Sequence, residues 1–372
     1  MLRRGLMLRV ALIFGGESDE HEVSVASALS ILDNHNPDEV ELRLFAVSKD
    51  GSWLTHKESV SQLNSIRISG WGDVTGIKND RVLNSKAVLQ ELGDCDVAFP
   101  VIHGKGGEDG RLQGFLDSIH MPYVGSGVTA SASAMDKELM RALFAANNIR
   151  QPSYRVVRKH DFINDPQITL SAVSEELQFP LFTKPANGGS SIGVSKVGSK
   201  TELSEAAILA FKYDEKILIE EAIAAREIEC GVLEGITLQS TCTGEIISSS
   251  DFYDYDHKYK DSGTRLIVPA DVSDDISSKI QTLALKIFRL LGARSYARVD
   301  FLLTDTNDIY CLEINTSPGF TTSSMFPILC ENSGISFKQL ITRLAMSGEQ
   351  TSQDVGPHDW TRASNITHNP KV

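Results

Sequence analysis

The sequence predicts a mixed α/β and α+β protein, and three observations support this fold class. Residues 8–14 (LRVALIF) form an apolar run that is typical of a buried strand. Strand and helix patterns then alternate over residues 1–125, which indicates a parallel sheet covered by helices. Nearer the C-terminus, two segments of alternating polarity flank the polar turn 305–308, which predicts an antiparallel hairpin at 297–315.

The elements between these landmarks follow from periodicity and from Gly and Pro breaks. In chain order, we expect strands at 41–47, 96–101, 181–184, 194–197 and 217–220. The expected helices cover 23–31, 112–118, 136–147, 201–211 and 275–291. The pattern therefore predicts a parallel layer first and strand-rich units after it.

Composition bounds the class of protein. The chain has 372 residues, of which 41% are hydrophobic and 23% are charged, which is ordinary for globular proteins and predicts two or three domains. The net charge of −13 argues against general binding to nucleic acid or to anionic membranes, because the electrostatic term would be repulsive. A local cationic pocket for one phosphate ligand remains compatible with this charge.

The five cysteines are odd in number, scattered, and never spaced C-x-x-C. A disulfide framework or a zinc ribbon is therefore not expected, and a reducing cytoplasm fits best. The start of the chain has basic and then apolar residues, but Arg9 interrupts the apolar run, so we expect a short tail leading into the first strand. No apolar run has membrane-spanning length, so we expect a soluble protein.

The hairpin at 297–315 concentrates charge. Centring its turn predicts an apolar side that pairs Val299 with Ile314, Phe301 with Leu312 and Leu303 with Tyr310. The other side then pairs Asp300 with Glu313 and Arg298 with Asn315. The buried side would fix the register, and this register brings two carboxylates together.

Two carboxylates about 5 Å apart repel by roughly 3 kcal/mol at an effective dielectric of about 20, so a cation must offset them or one must be protonated. Asp300, Glu313 and Asn315 offer the hard oxygen ligands that Mg²⁺ takes together with phosphate. The alternative is a solvated hairpin face on which Arg298 pairs across the strands.

The segment 182–197 (FTKPANGGSSIGVSKV) combines Lys184 with a Gly-Ser loop, whose N–H groups could cradle an anion. It also contains Gly189-Ser190-Ser191-Ile192-Gly193, the G-x-S-x-G pattern of serine hydrolases. That motif requires a helix after the turn, whereas 194–197 has a strand pattern. The sequence therefore favours a lid over a triphosphate, with a serine hydrolase and an ordinary turn as alternatives, and Lys184 and the acidic hairpin argue against the ordinary turn.

Other segments contain candidate side chains, each with a plain structural alternative. The segment 103–110 (HGKGGEDG) follows a strand, where substrate loops are found in α/β layers, and 15–24 (GGESDEHEVS) places Glu20 near a helix start. Glu220 and Glu227 could accept hydrogen bonds from an adenine amine and from ribose hydroxyls. The remaining candidates are Lys258 and Tyr259, in an aromatic segment suited to covering a substrate.

Six segments in order, over about residues 9–343, resemble the D-alanine–D-alanine ligases of the ATP-grasp superfamily. They are GGESDEHEVS, HGKGGEDG, MDK (135–137), TKPANGGSSIGVSKV, ARVDF and EINTSPGFTTSS. The resemblance implies an ATP-grasp fold with ATP bound between its last two domains. The implied parts are an N-terminal Rossmann-like α/β domain (1–125), a central lid domain (126–228), a C-terminal domain with the hairpin (229–348) and a polar tail (349–372).

The resemblance also implies roles for individual residues. Those at the nucleotide would be Lys137, Lys184, Ser191 and Lys258 for the phosphates, Glu220 and Glu227 for adenine and ribose, and Asp300, Glu313 and Asn315 for two Mg²⁺ or Mn²⁺ ions. At the amino acids, Glu20 would bind the ammonium group of the first D-alanine, and Ser190 and Tyr259 would be linked to Glu20. Arg298 and the Gly319 N–H would stabilise the oxyanion, and Ser324 would bind the carboxylate of the second D-alanine. His103 and Met325 would lie beside the substrates.

The implied activity is ligation of two D-alanines for peptidoglycan precursors, with ATP as co-substrate, in a cytoplasmic homodimer. ATP would phosphorylate one D-alanine, and the amine of the second would attack the acyl phosphate. Thr183 and Met325 depart from the usual family residues without removing a chemical group. Tyr259 goes with dipeptide synthesis in this family, so we expect D-Ala-D-Ala, with D-Ala-D-Ser and D-Ala-D-Lac as alternatives. A silent nucleotide-binding protein is a further alternative.

Overall fold

The computed structural model describes residues 7–69, 73–75, 86–247 and 264–354. Its N-terminal part contains a parallel sheet in the order β2-β1-β3, as predicted. The elements are β1 (Leu8–Gly15), α1 (His21–Asn34), β2 (Val40–Val47), α2 (His56–Ser69), α3 (Lys86–Gly93), β3 (Val97–Pro100), α4 (Arg111–Ser118) and α5 (Val128–Met135).

Strand β1 is apolar throughout because helices cover both faces of its sheet. Val10, Leu12 and Phe14 pack on the side of α1 and α2, whereas Ala11 and Ile13 pack on the side of α3 and α4. All five residues are fully buried. This arrangement leaves the carboxyl ends of the strands as the edge at which polar loops can gather.

The central part is a four-stranded antiparallel sheet in the order β4-β7-β5-β6. Its elements are α6 (Lys137–Ala146), β4 (Tyr154–Arg158), α7 (Lys159–Asn164), α8 (Pro166–Glu176), β5 (Leu181–Pro185), β6 (Ser195–Val197), α9 (Lys200–Ala210) and β7 (Lys216–Glu221). Helix α6 begins after Asp136, whose side chain accepts hydrogen bonds from the backbone N–H groups of Glu138 and Leu139. Asp136 thereby fixes where Lys137 enters the helix.

The C-terminal part is a five-stranded antiparallel sheet in the order β10-β9-β8-β11-β12. Its elements are β8 (Arg226–Leu233), β9 (Gln239–Ile247), β10 (Arg265–Ile267), α10 (Asp274–Leu290), β11 (Tyr296–Leu303), β12 (Ile309–Asn315), α11 (Met325–Asn332) and α12 (Phe337–Asp354). Within the described residues, no helix combines the length and apolarity needed to cross a bilayer.

The predicted hairpin forms from β11 and β12, and three of its five predicted residue pairs are present. The confirmed pairs are Arg298 with Asn315, Val299 with Ile314 and Asp300 with Glu313. The register then shifts by one residue between Asp300 and Phe301. The pairs beyond the shift are Phe301 with Cys311, Leu302 with Tyr310 and Leu303 with Ile309, so the predicted pairs of Phe301 with Leu312 and of Leu303 with Tyr310 are wrong.

The cause of the shift is an extra residue in β12, which is a β-bulge. Cys311 takes the buried position that Leu312 was expected to fill, and Leu312 lines a cavity instead. The loop between β11 and β12 is closed by hydrogen bonds between Thr304 and Asp308, and its Asn307 lies in the left-handed region at φ 62°. A bulge beside a site re-aims a side chain, and here it adds an apolar wall next to Glu313.

The C-terminal helix completes the core of the N-terminal sheet. Leu340 and Leu344 of α12 belong to the same buried cluster as Val10 and Phe14 of β1. Helix α12 runs through Asp354, so the first residues of the predicted polar tail are helical, and 355–372 lie outside the described residues. The two ends of the described chain therefore stabilise each other.

Removal of Leu340 tests this shared core. Leu340 is 0% exposed, so Leu340→Ala should lower the free energy of unfolding by about 2–5 kcal/mol. Leu139→Ala is the matched control, because Leu139 is 50% exposed and its truncation should have a much smaller effect. Urea denaturation of both variants measures the difference. Equal losses in the two variants would contradict this packing.

Candidate functional site

A cavity of about 1060 Å³ opens between the three sheets. All the predicted site residues that the structure describes line it. They are Glu20, His103, Lys137, Lys184, Ser190, Ser191, Glu220, Glu227, Arg298, Asp300, Glu313, Asn315, Gly319, Ser324 and Met325. The predicted residues Lys258 and Tyr259 lie outside the described residues.

One end of the cavity contains a buried cluster of charges. Glu220 on β7 pairs with Lys184 on β5 and with Arg141 on α6, whose Nη2 lies 2.8 Å from Oε2 of Glu220. Burial alone would raise the pKa of Glu220, but the charges of Lys184 and Arg141 outweigh burial and lower it. Burial, together with Arg141 and Lys137, lowers the pKa of Lys184 despite its pairing with Glu220. The cluster therefore suits an anionic ligand.

Lys137 connects this cluster to the hairpin. Its Nζ donates a hydrogen bond to the Gly188 carbonyl at 2.7 Å and lies 3.4 Å from Oε2 of Glu313. Lys216 of β7 pairs with Asp136 at 2.6 Å and with Glu138 at 2.8 Å, which ties the first turn of α6 to the central sheet. Lys137 is thus held between the Gly-Ser loop and the carboxylates of the hairpin.

Asp300 is buried, Glu313 is half-buried, and both carboxylates are paired with cations. Arg298 donates from Nε and Nη2 to the two oxygens of Asp300, each at 2.7 Å, and its Nε lies 2.9 Å from Glu229. Burial alone would lower the pKa of Arg298, but Asp300 and Glu229 outweigh burial and raise it well above its usual value. Asp300 and Arg298 are therefore not on the solvated surface that the alternative interpretation expects, whereas Glu313 on the same face is half-buried.

A second group of residues on the cavity wall contains Glu20, which is buried. The Ser190 hydroxyl donates to a carboxylate oxygen of Glu20, which joins the Gly-Ser loop to the N-terminal domain. A Cβ at Gly104 would lie 2.7 Å from Oε2 of Glu20, and one at Gly189 would lie 3.0 Å away, so glycine permits this close approach. Ser190 itself has φ 46°, a left-handed conformation that is costly for serine and is held by this contact.

His103 lies beside Glu20 with all its ring contacts inside the protein. Its Nδ1 is 3.1 Å from the Ser317 carbonyl and 3.4 Å from Glu108, and its Nε2 is 3.0 Å from the Ser27 hydroxyl. Burial raises the pKa of Glu108 to about 7. Burial opposes protonation of His103, but Glu108 outweighs burial and raises the pKa of His103. The pair is able to hold a proton next to the Glu20 end of the cavity.

The third wall comes from the loop between β12 and α11. Ser324 precedes α11, and its hydroxyl contacts the Thr321 backbone N–H at 3.1 Å. A Cβ at Gly319 would lie 3.0 Å from the Ser324 hydroxyl, so glycine leaves that hydroxyl accessible. Met325 is buried at the first position of α11. Hydroxyls at a helix N-terminus suit a carboxylate ligand.

The serine-hydrolase interpretation loses its structural support. The residue after the Gly-Ser loop enters strand β6, not a helix, so the strand–turn–helix context of the nucleophile motif is absent. The hydroxyl of Ser190 is bound to the carboxylate of Glu20. The prediction of a second strand after the loop is confirmed.

Comparison with known proteins gives the family. Residues 9–126 match the family model described as the D-ala D-ala ligase N-terminus, and residues 143–346 match that of the D-ala D-ala ligase C-terminus. The chain belongs to the D-alanine–D-alanine ligase family. A D-alanine–D-alanine ligase from Halothermothrix orenii is 42% identical over 337 residues, which cover 91% of this chain and 97% of the relative. One from Acetivibrio thermocellus is 40% identical over 354 residues, which cover 90% and 94%.

Solved structures agree with this assignment. The VanG D-Ala:D-Ser ligase from Enterococcus faecalis has a TM-score of 0.77 at 30% identity, over 92% of this chain and 100% of that chain. The D-alanine–D-alanine ligase from Coxiella burnetii also has a TM-score of 0.77, at 28% identity, over 94% and 96%. The ATP-grasp fold predicted from the resemblance is therefore confirmed for this member of the D-alanine–D-alanine ligase family.

The donor set at the hairpin fits a hard divalent cation. Asp300 and Glu313 face each other on neighbouring strands, and Asn315 follows on the same strand with its amide oxygen bound to the Ser317 N–H at 3.0 Å. No group of three or more His, Cys, Asp or Glu residues suited to a metal exists among the described residues. Two carboxylates and an amide match the sites that Mg²⁺ completes with phosphate oxygens and water.

Sequence reasoning missed three charged residues of this site. Glu108 lies five residues after His103 in the predicted loop HGKGGEDG, so that segment did contain a sequence signal for it. Glu229 pairs with Asp300 across β8 and β11, and Arg141 lies one helical turn after Lys137. Their places depend on strand order and helix packing, which no local pattern shows.

The His103–Glu108 pair makes stability depend on pH. Both pKa values are raised, so the folded chain retains protons that the unfolded chain releases between about pH 5 and 8. The contribution of the pair is therefore present at low pH and lost as the pH rises. We expect the stability advantage of the wild type over Glu108→Gln to be larger at about pH 5.5 than at about pH 8, measured by urea denaturation. An advantage that grows toward high pH would exclude this pairing.

Proposed function

We propose that the protein joins two D-alanines into D-alanyl-D-alanine and converts ATP to ADP and phosphate through a D-alanyl phosphate intermediate. One observation carries this proposal: a single cavity is lined by a buried cationic cluster, by the hairpin carboxylates and by the Glu20–Ser190 pair. Phosphoryl transfer depends on positioning and charge neutralisation, which the cations and the hairpin provide. Recognition of an ammonium group suits the carboxylate of Glu20.

At the nucleotide end, Lys137, Lys184 and Ser191 would contact the phosphates. Glu220 and Glu227 would accept hydrogen bonds from adenine and ribose, beside the apolar walls formed by Leu302 and Leu312. Two Mg²⁺ or Mn²⁺ ions would be held by Asp300, Glu313 and Asn315, and when bound they would neutralise charge on the transferred phosphate. Lys258 would reach the same phosphate according to the family resemblance.

At the amino-acid end, the roles follow the charges of the reacting groups. Glu20 would hold the ammonium of the first D-alanine, and Ser324 would bind the carboxylate of the second. The Arg298 guanidinium and the Gly319 N–H would stabilise the oxyanion, a type of contact worth about 3–4 kcal/mol elsewhere. Ser190, bound to Glu20, would exclude water from the acyl phosphate, and Tyr259 would complete that closure.

D-Ala-D-Ser ligation is a second candidate, because one structural neighbour at 30% identity is a D-Ala:D-Ser ligase. The D-alanine–D-alanine ligases at 42% and 40% identity favour the first candidate.

We further propose that the protein acts as a cytoplasmic homodimer that binds neither nucleic acid nor membrane. Its need for ATP and its five free thiols support a reducing compartment.

The reaction itself is testable in one coupled assay. Phosphate release from ATP should require D-alanine and a divalent cation, and the product should be D-alanyl-D-alanine by mass spectrometry. Equimolar D-serine in the same reaction distinguishes the second candidate. Phosphate release without D-alanine, or hydrolase activity blocked by a fluorophosphonate at Ser190, would overturn the proposal.

The hairpin carboxylates provide a second test. Asp300→Asn and Glu313→Gln should each lower turnover by at least about 100-fold, because the phosphates lose a metal-bound counter-charge. Asp308→Asn is the matched control: Asp308 lies in the same hairpin but forms an exposed ion pair with Arg150, so turnover should stay within about twofold. Wild-type turnover in both test variants would reject the metal site.

A further inference from the structure

Arg141 is a buried charged residue that does not touch the cavity. It lies on α6, one turn after Lys137, and is 1% exposed. Its Nη1 donates to the Cys311 carbonyl on β12 at 3.0 Å, and its Nη2 donates to Glu220 on β7 at 2.8 Å. Arg141 therefore joins α6, β7 and β12, each of which contributes other residues to the cavity wall.

The charges around Glu220 are arranged asymmetrically. Arg141 binds one carboxylate oxygen and Lys184 binds the other. Lys184 lines the cavity and can turn toward a phosphate, whereas Arg141 is enclosed by protein and always charged. Glu220 is 2% exposed, so if Lys184 turned away, the carboxylate would need another counter-charge to remain ionised.

The hydrogen bonding of Arg141 is incomplete, which argues against a purely stabilising role for this residue. Its Nε is buried and has no hydrogen-bond partner within the described part of the chain. An unsatisfied buried N–H group costs free energy, and apolar residues of similar volume often replace buried ion pairs without loss of stability. The charge of Arg141 therefore calls for a role beyond packing.

We propose that Arg141 is a positioning residue that keeps Glu220 ionised and in place, so that Lys184 can transfer from Glu220 to the nucleotide phosphates when ATP binds. This inference rests on the proposed function, because it assigns the phosphates to Lys184. Without ATP, Glu220 is shared by two cations. With ATP bound, Arg141 alone compensates Glu220, which then remains an acceptor for the nucleotide.

The test compares Arg141→Met and Arg141→Lys with a matched control, Arg158→Met. Arg158 is the same residue type and pairs with Glu138 near the start of α6, but the pair is exposed. In Arg141→Met, Lys184 is the only cation left on Glu220 among the residues that the structure describes, so the KM for ATP and the Kd for ADP should rise by at least about tenfold. The KM for D-alanine should stay within about twofold, and Arg141→Lys should recover part of the ATP affinity. Arg158→Met should match the wild type within about twofold.

A double variant separates charge compensation from a purely structural effect. Adding Glu220→Gln to Arg141→Met removes the uncompensated carboxylate and releases Lys184, so ADP should bind more tightly than to Arg141→Met alone. Calorimetry with ADP and Mg²⁺ measures this without turnover, and melting temperatures identify folded variants. The inference is overturned if Arg141→Met, or Arg141→Lys where the Met variant does not fold, binds ADP like the wild type.

The inference is equally overturned if KM values for ATP and D-alanine rise together, or if Glu220→Gln restores nothing. Failure of the proposed function has a different signature, because the wild type itself would then release no phosphate in response to D-alanine.

Discussion

The pairing of Asp300 with Glu313 on β11 and β12 is the constraint on which the site depends. The apolar face of the hairpin fixes this pairing, because Val299 and Ile314 on that face are buried in the core of the C-terminal sheet. A slip of one residue would turn the carboxylates into that core and expose the apolar face. The two acids therefore stay side by side, and the protein surrounds them with Arg298 and Lys137. Under the proposed function, the divalent cations bound with the nucleotide would enter a site where the two carboxylates already have cationic partners.

The replacement of one ionic partner by another also accounts for the side chains that we propose to bind the nucleotide. Lys184 and Arg141 converge on Glu220, and Lys137 reaches Glu313, so each lysine is paired with a carboxylate before any ligand arrives. Buried ion pairs contribute little to stability after desolvation. Under the proposed function, these ion pairs would hold the flexible lysines where a triphosphate can bind them, without leaving a buried charge unpaired. The Glu20–Ser190 contact joins the Gly-Ser loop to the N-terminal part of the chain, and both residues line the same cavity.

Much of this arrangement was predictable from local patterns. The alternation in 297–303 and 309–315 predicted the pairing of Asp300 with Glu313, and the strand after the Gly-Ser loop argued against a nucleophile motif. The bulge was not predictable, because Cys311 and Leu312 are both apolar and either could have filled the buried position. Arg141 and the docking of α12 onto β1 were missed because they depend on contacts between residues far apart in the chain. The roles inferred from family resemblance remain predictions for all the site residues, and Lys258 and Tyr259 also lie outside the described residues.

The central claim is that the paired acids of the hairpin bind divalent cations beneath a nucleotide. The most direct measurement is a crystal structure with ADP and Mn²⁺, analysed by anomalous scattering. The account predicts an anomalous peak coordinated by Asp300 and Glu313, with Lys184 moved from Glu220 to a phosphate. Nucleotide bound without a peak at these residues, or with the metal held elsewhere, would contradict it.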